Sequence, residues 1–323
     1  MRNPSTDVFS TAIVGLGRAG WDLHLKPIFD HSRFSIVAVA DPVDERCEEA
    51  KHLTGCKTFC SIDELLDGSD ARVVVVATPS MTHYTDALKV LESGRHCILE
   101  KPMAMNSREA AQLVATAREK NLRLFVHHVH LHRPEFHHLK GIIESGVLGP
   151  VFHIRVFWGY YNRRWDWQTL KKYGGGQLNN VCTHALSLLL PLLGSPVTRV
   201  SHADLRNIKD AGDLEDHVHL VLNTESGLTA DLVVSSAIAV EAPKWMVCGR
   251  NGALVCDGQK SRLRYFDPSK LPPLSVLDGA APGRQYLKED IPWIEEEREA
   301  GPAPVKAFHE NVLDVLEGRD RPV

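Results

Sequence analysis

A short apolar run beginning at Phe9, FSTAIVG, leads directly into Gly15-Leu16-Gly17-Arg18-Ala19-Gly20. No other feature of the chain leaves the fold so little choice. Glycines spaced G-x-G-x-x-G between a strand and a helix each meet a different steric demand. The first turns the chain tightly, the second lets a phosphate group reach the backbone, and the third lets helix and strand pack closely. The helix that follows presents free N–H groups and the positive end of its dipole to an anion, and Arg18 and Ala19 belong to that same turn. A second apolar run, SIVAVAD, ends on Asp41 about 20 residues further on, where a carboxylate can accept hydrogen bonds from ribose hydroxyls. This pattern favours NAD over NADP as cofactor, although Arg46 stands near enough in sequence to swing over a 2′-phosphate. A glycine-rich turn with no ligand is the competing reading.

From residue 9 to about 125, short apolar runs alternate with helix-length amphipathic stretches, and Val73 to Ala77 is the unbroken kind of run that both-face burial demands. The expected fold class is α/β. Residues 1–126 form a Rossmann domain on a doubly wound parallel sheet, and residues 127–323 form an α+β domain on an antiparallel sheet. The second half carries longer strand patterns such as VFHIRVFWGYY, HVHLVLN and LTADLVVSSAIA, separated by turns at Glu225-Ser226-Gly227 and Asn251-Gly252. Helices are expected at KGIIESG, from about Thr183 to Leu193, and from about Val305 to Leu316. Residues 267–304, rich in Pro, Gly and Glu, read as a surface excursion or lid.

At 323 residues, 43% of them hydrophobic and 24% charged, the chain has material for two cores. A formal net charge of −4 offers polyanions no general attraction, so no nucleic-acid or membrane partner is expected, and a small molecule is. The seven cysteines include no CxxC pair, which suits a reducing cytoplasmic location. The opening MRNPSTDVFSTAIVG lacks the apolar segment and cleavage site of an export signal, and no stretch reaches the roughly 18 apolar residues of a membrane span. A soluble, unexported protein is the expectation.

Ligands of open α/β sheets lie outside the carboxyl ends of the strands. Two loops should therefore border the cofactor. One is Thr78-Pro79-Ser80-Met81-Thr82-His83, from which Thr78 and His83 would reach the nicotinamide side, unless Pro79 merely stops a strand and His83 begins a helix. The other is Glu100-Lys101-Pro102, which ends the apolar strand HCILEKP. A partly desolvated lysine beside a cationic nicotinamide has its charged form disfavoured and can exchange a proton with a hydroxyl; the alternative is a solvated Lys101 paired to Glu100. Further on, Gly174-Gly175-Gly176 allow close backbone approach, and Asn180 and His184, four apart, share a helical face. His184 is a candidate acid/base.

Taken together, AIVGLGRAG, VADP, ATPSMTH, EKPMA, ESGVLGPV and GGGQLNNVCTHALSLLLPLLG resemble the glucose-fructose oxidoreductase/inositol dehydrogenase (Gfo/Idh/MocA) family from about residue 9 to 317. The resemblance implies an NAD(P)-dependent enzyme in which Lys101 touches both substrate and cofactor and His184 stands beside the reacting hydroxyl. It also implies an open-faced sheet that packs against a second subunit, giving a homodimer or homotetramer. Three positions depart from the family pattern, where Asp is usual at Asn180, Gly at Cys182 and Asp at Ser187. Asn180 can orient a hydroxyl but cannot take its proton, so Lys101 and His184 must share the transfer, or Asp166 or another carboxylate substitutes. The family's usual last helix has no counterpart beyond Val323, which suggests truncation or divergence.

Seventeen histidines, six of them at His127, His128, His130, His132, His137 and His138, raise a metal question. On a strand, His128, His130 and His132 would share one face, but neighbours on one strand do not converge on a tetrahedral ion, so no metal is expected. They are read instead as lining the pocket with Arg163, Arg164, Trp165, Asp166 and Trp167, a mixture suited to a polyol. The leading function is hydride transfer between nicotinamide and a hydroxyl-bearing carbon of a sugar, inositol or related polyol. Lys101 and His184 would move the proton, and Asn180 would orient the substrate. Two alternatives stand beside it: glycoside cleavage that uses bound NAD transiently, and a nucleotide-binding sensor or scaffold without turnover.

Overall fold

The computed structural model describes residues 7–280, 282–302 and 307–320. The polar residues 1–6 and the expected start of the last helix at Val305 lie outside them. Strand β1 (Phe9–Val14) runs through the glycine turn into a π-helical segment (Ala19–Leu25) continued by α1 (Lys26–Phe29). Next come β2 (Phe34–Ala40), α2 (Asp44–Thr54), β3 (Lys57–Phe59), α3 (Ile62–Gly68) and β4 (Val73–Val76). The unit closes with α4 (His83–Glu92), β5 (His96–Leu99), α5 (Ser107–Glu119) and β6 (Leu124–Val126). All pairings are parallel, in the order β3-β2-β1-β4-β5-β6. That is the strand order of a doubly wound dinucleotide fold, with its switch point between β1 and β4. Helices cover both faces, which is why Val73, Val74, Val75 and Val76 are all inaccessible to water.

After a 3-10 turn (Val129–His132) and α6 (Pro134–Glu144), β7 (Val151–Gly159) opens a second sheet. The chain then passes through a π-helical turn (Leu178–Cys182), α7 (Thr183–Leu192), β8 (Val197–Arg206), β9 (His217–Thr224) and β10 (Thr229–Ser235). Strands β11 (Trp245–Gly249), β12 (Gly252–Cys256), β13 (Lys260–Tyr265) and β14 (Ile294–Glu299) complete the order β14-β13-β12-β11-β7-β10-β9-β8. The sheet is mixed rather than purely antiparallel, because β7 and β10 pair in parallel. The segment between them, which includes α7, is long enough for the crossover that parallel pairing requires. Along β9 buried and half-buried residues alternate, as expected of a sheet packed on one face. Ala185, Leu188, Leu189 and Leu192 of α7 share a core with Ile154, Val156, Leu220 and Leu232.

Two sequence expectations change here. His128, His130 and His132 do not share a strand face: β6 stops at Val126, and His130 and His132 enter the 3-10 turn. Within the stretch read as an excursion or lid, residues 294–299 form β14. Its IEEERE sequence has no apolar alternation because its pairing with β13 is charge-matched, through Lys260–Glu299 at 2.9 Å and Arg264–Glu295 at 3.1 Å. None of the described residues 267–302 lines the main cleft.

The last helix, α8 (Phe308–Leu316), returns to the first unit, where Phe308, Val312, Leu313 and Val315 pack with Phe9, Ile13 and Phe34. Among the described residues no helix is long and apolar enough to cross a membrane.

Candidate active site

The carboxyl ends of the parallel strands open into a cleft of about 1140 Å³ that continues to the π-helical turn before α7. Its floor is the glycine turn. Gly15 has φ +89°, and a Cβ there would lie 2.6 Å from the Ala77 carbonyl oxygen. At Gly20 the same atom would lie 1.8 Å from the Gly15 carbonyl oxygen, so side chains are barred from both positions by backbone. At Gly17 a Cβ would meet nothing within 4 Å. The first and third glycines therefore serve the fold, while the second leaves open space at the start of the helix, as a pyrophosphate needs. Exposed Arg18 and neighbouring Ala19 line the same mouth.

Asp41 is buried, yet its carboxylate is fully directed. Oδ2 accepts from Leu16 N at 2.7 Å, Oδ1 accepts from Val43 N at 3.0 Å, and the Arg46 guanidinium stands 3.4 Å from both oxygens. The glycine turn is thus tied to the β2 end by the carboxylate expected at the adenosine ribose.

Thr78 donates to Asp86 Oδ2 at 2.8 Å, and Pro79 turns the chain into the start of α4. His83 is 1% exposed, with Nδ1 2.7 Å from the Pro102 carbonyl and Nε2 2.8 Å from the Thr78 carbonyl. A neutral imidazole donates to one of these carbonyls, and the ring links the two loops that border the cleft. The ring braces those loops and is itself part of the cleft lining.

Glu100 and Lys101 do not pair through their side chains. The Glu100 Oε1 atom lies 3.0 Å from His24 Nε2 and 2.7 Å from His127 Nδ1, while Oε2 accepts from the Lys101 backbone N–H at 3.2 Å. His309 of α8 stands 3.3 Å from the far nitrogen of His24. One set of neutral tautomers satisfies the chain: His309 donates to His24, and His24 and His127 both donate to Glu100. Burial raises the Glu100 carboxyl, but the two imidazole hydrogen bonds outweigh it and hold the group well below its ordinary range. Burial lowers His24, and His309 further still. Among the described residues, His24, Glu100 and His127 alone bring three ligand-type atoms within 4.8 Å, and direct hydrogen bonds already occupy those atoms.

Lys101 instead reaches across the cleft. Its Nζ donates to the Asn180 carbonyl at 2.8 Å and to Asn180 Oδ1 at 3.0 Å, and Asn180 Nδ2 donates to Gln168 Oε1 at 3.2 Å. Burial lowers the Lys101 amine from its ordinary value, opposed by Glu100 and reinforced by Arg18 and Arg164. His184 shares this end of the cleft, its ring 4.7 Å from that of His130 and 6.2 Å from that of His128. Burial, then Lys101, pushes His184 down to about 3, and burial, then Arg133, pushes His130 down to about 4. The Nδ1 atoms of His128 and His184 are buried without a hydrogen-bond partner. The site at neutral pH is thus a depressed lysine amine among uncharged imidazoles.

From the aromatic, basic segment the cleft takes Arg164, Trp167 and Gln168. Arg163, Trp165 and Asp166 do not line it. Trp165 is 81% exposed, Arg163 is exposed, and Asp166 caps the 3-10 turn Trp167–Thr169 through the Gln168 N–H while binding Arg164. That single turn, rather than a strand or α-helix, decides which residues face inward. The glycine triplet also serves packing: a Cβ at Gly175 would sit 1.9 Å from the Gln168 carbonyl, so glycine there lets the Gln168 segment close on the site.

Residues 9–128 match the family Gfo/Idh/MocA, described as an oxidoreductase family with an NAD-binding Rossmann fold, and residues 136–255 match the GFO/IDH/MocA C-terminal domain. The chain belongs to the Gfo/Idh/MocA family. It is an oxidoreductase whose first sheet is of the NAD-binding Rossmann type.

Among relatives of this Gfo/Idh/MocA member is scyllo-inositol 2-dehydrogenase (NADP(+)) IolW of Bacillus subtilis, 25% identical over 80% of this chain and 72% of that protein. Another is the 2,7-anhydro-N-acetylneuraminate hydratase of Escherichia coli, 25% identical over 76% of this chain and 67% of that protein. A solved NAD-binding protein from Listeria innocua superposes with TM-score 0.80 at 25% identity, covering 98% of this chain and 88% of that one. Sequence reasoning missed His24, His309 and Gln168. The one available signal was Glu100 itself, a carboxylate ending a buried strand, which obliges the fold to supply donors.

Proposed function

We propose that the protein transfers a hydride reversibly between NAD and a hydroxyl-bearing carbon of a sugar, inositol or related polyol. The observation that carries this reading is the convergence of the Lys101 amine and the His184 imidazole on the cleft that also holds Gly15, Gly17 and Asp41. Gly17, Arg18 and Ala19 would hold the pyrophosphate on the turn that Gly15 and Gly20 shape, Asp41 the adenosine ribose, and the Thr78-Pro79 and Glu100-Lys101 loops, braced by His83, the nicotinamide side. When bound, the cofactor supplies the hydride acceptor or donor. Asp41, already bonded to the glycine turn, favours NAD, and Arg46 beside it gives NADP a weaker claim. Lys101, held by Asn180, would bind the substrate hydroxyl and, with its charged form disfavoured, take up its proton. His184, neutral at pH 7, can accept a hydrogen bond or pass the proton on. Asn180 positions Lys101 and offers an amide to the substrate. We also propose a homodimer or homotetramer through the sheet face opposite α7, where Met246 and Arg155 are exposed; analytical ultracentrifugation tests it.

The test is a panel of sugars and inositols with NAD, following NADH absorbance in the wild type and in Lys101→Met and His184→Gln. Turnover lost in both variants with NAD binding intact supports the reading, and turnover unchanged in both overturns it. A second reading, transient use of held NAD, draws on Asn180 in place of a proton-accepting side chain and on the hydratase relative. Product formation without net NADH would select it.

A further inference from the structure

The cleft is lined by five basic side chains, Arg18, Arg46, Lys101, Arg133 and Arg164, and by three carboxylates, Asp41, Asp86 and Glu100. Every one of those carboxylates is committed. Asp41 takes Leu16 and Val43 N–H groups, Asp86 takes the Thr78 hydroxyl, and Glu100 takes two imidazoles and the Lys101 N–H. Arg18 and Arg46 belong to the nucleotide end. Lys101 and Arg164 lie with Asn180 and Gln168, and Arg133 stands by His130, whose ring is 4.7 Å from that of His184.

There the charges are not balanced from within the cleft. Arg164 is shared with Asp166 and Gln168, and Lys101 is held by an amide and a carbonyl rather than a carboxylate. No described side chain pairs with the exposed Arg133 guanidinium, although it is close enough to His130 to depress it. The hydroxyls of a neutral polyol need acceptors as well as donors, and Asp and Glu are acceptors whereas Lys and Arg donate only. This end has amides and neutral imidazoles for hydroxyls, but its only charged groups on offer are donors. A cleft wall of one sign attracts the opposite charge and forms short, charge-assisted bonds with it.

We infer that the substrate is an acidic sugar, carrying a carboxylate or phosphate that Arg133 receives while Lys101 engages the reacting hydroxyl. The inference rests on the hydride-transfer reading for which molecule occupies this end, and binding separates the two. Calorimetric titration of the full chain, saturated with NADH, would compare matched pairs: glucose with glucuronate, galactose with galacturonate, and glucose with glucose 6-phosphate. Wild type, Arg133→Gln and Arg133→Lys would be tested at low and high salt.

At least one anionic partner should bind about tenfold or more tighter than its neutral parent, as charge-assisted hydrogen bonds allow. The preference should weaken with salt, collapse in Arg133→Gln and survive in part in Arg133→Lys; the uronate and phosphate arms say which anion it is. Neutral sugars binding as tightly as their acidic counterparts, no binding by any acidic sugar, or a preference unchanged in Arg133→Gln overturns the inference. An acidic sugar bound with the expected preference but never oxidised with NAD would leave it standing and sink the hydride-transfer reading. Oxidation of neutral polyols without any acidic preference would do the reverse.

Discussion

Replacing Asn180 by Asp tests how this site sets the state of its lysine. The Oδ1 atom lies 3.0 Å from Lys101 Nζ, so the substitution puts a negative charge against the amine with almost no change of shape. Coulomb's law at that distance with an effective dielectric of about 20 gives roughly 5 kcal/mol, or about 4 pH units, as a ceiling. The amine faces an open cleft, where solvent screening reduces this, and opposite charges in comparable settings shift a pKa by about 1–3 units. The direction is fixed: burial, Arg18 and Arg164 now lower Lys101, and a carboxylate favours its charged form. The titration of Lys101 should therefore move up by about 1–3 units in Asn180→Asp. In any oxidation that uses the neutral amine, the pH of half-maximal kcat/KM should follow it upward. Carbon-13 NMR of ε-labelled lysine, with the Lys101 resonance assigned by its loss in Lys101→Arg, reads this without a substrate. A titration that stays put or moves down would refute the reasoning.

Asp41→Asn removes the charge under Arg46 and one acceptor from the glycine turn; NAD affinity should fall about 10- to 100-fold while NADP gains relative to it, as paired titrations would reveal. Stability should decline on acidification. His130 and His184 titrate at about 4 and about 3 in the folded chain but near 6.5 when unfolded, so the unfolded state binds more protons as pH falls below about 6.5. That loss continues down to the folded values. A plot of melting temperature between pH 7 and 4 should slope less steeply in His130→Gln. Gly20→Ala, whose Cβ would sit 1.8 Å from backbone, should yield an unfolded or strongly destabilised chain in thermal melts, losing about 3 kcal/mol or more.

The glycine turn, the parallel strands and Asp41 were legible in the sequence because their demands are local: each follows from residues within one strand-turn-helix unit. The fate of Glu100 was not. Its partner His24 lies 76 residues away, and His309, which completes the chain of hydrogen bonds, is 285 residues from His24, so only the packing of α8 against the first sheet brings them together. The inward residues of 163–168 were out of reach because a single 3-10 turn has no periodicity to read. Strand β14 hid for a different reason. It is held to β13 by alternating charges, and apolar alternation is the signal by which strands are recognised. Lys101, His184 and Asn180 line one cleft, but the amide that grips the lysine could be placed only once the two sheets were assembled.

The most direct test of the account is calorimetric titration of the chain with NAD, in wild type and in Gly17→Ala. Because the Gly17 Cβ position is open in the fold but would face the pyrophosphate of a bound NAD in the proposed function, the account predicts micromolar NAD binding that weakens about tenfold or more in the variant, with an unchanged melting temperature. Equal NAD binding by both proteins, or none by the wild type, would contradict it.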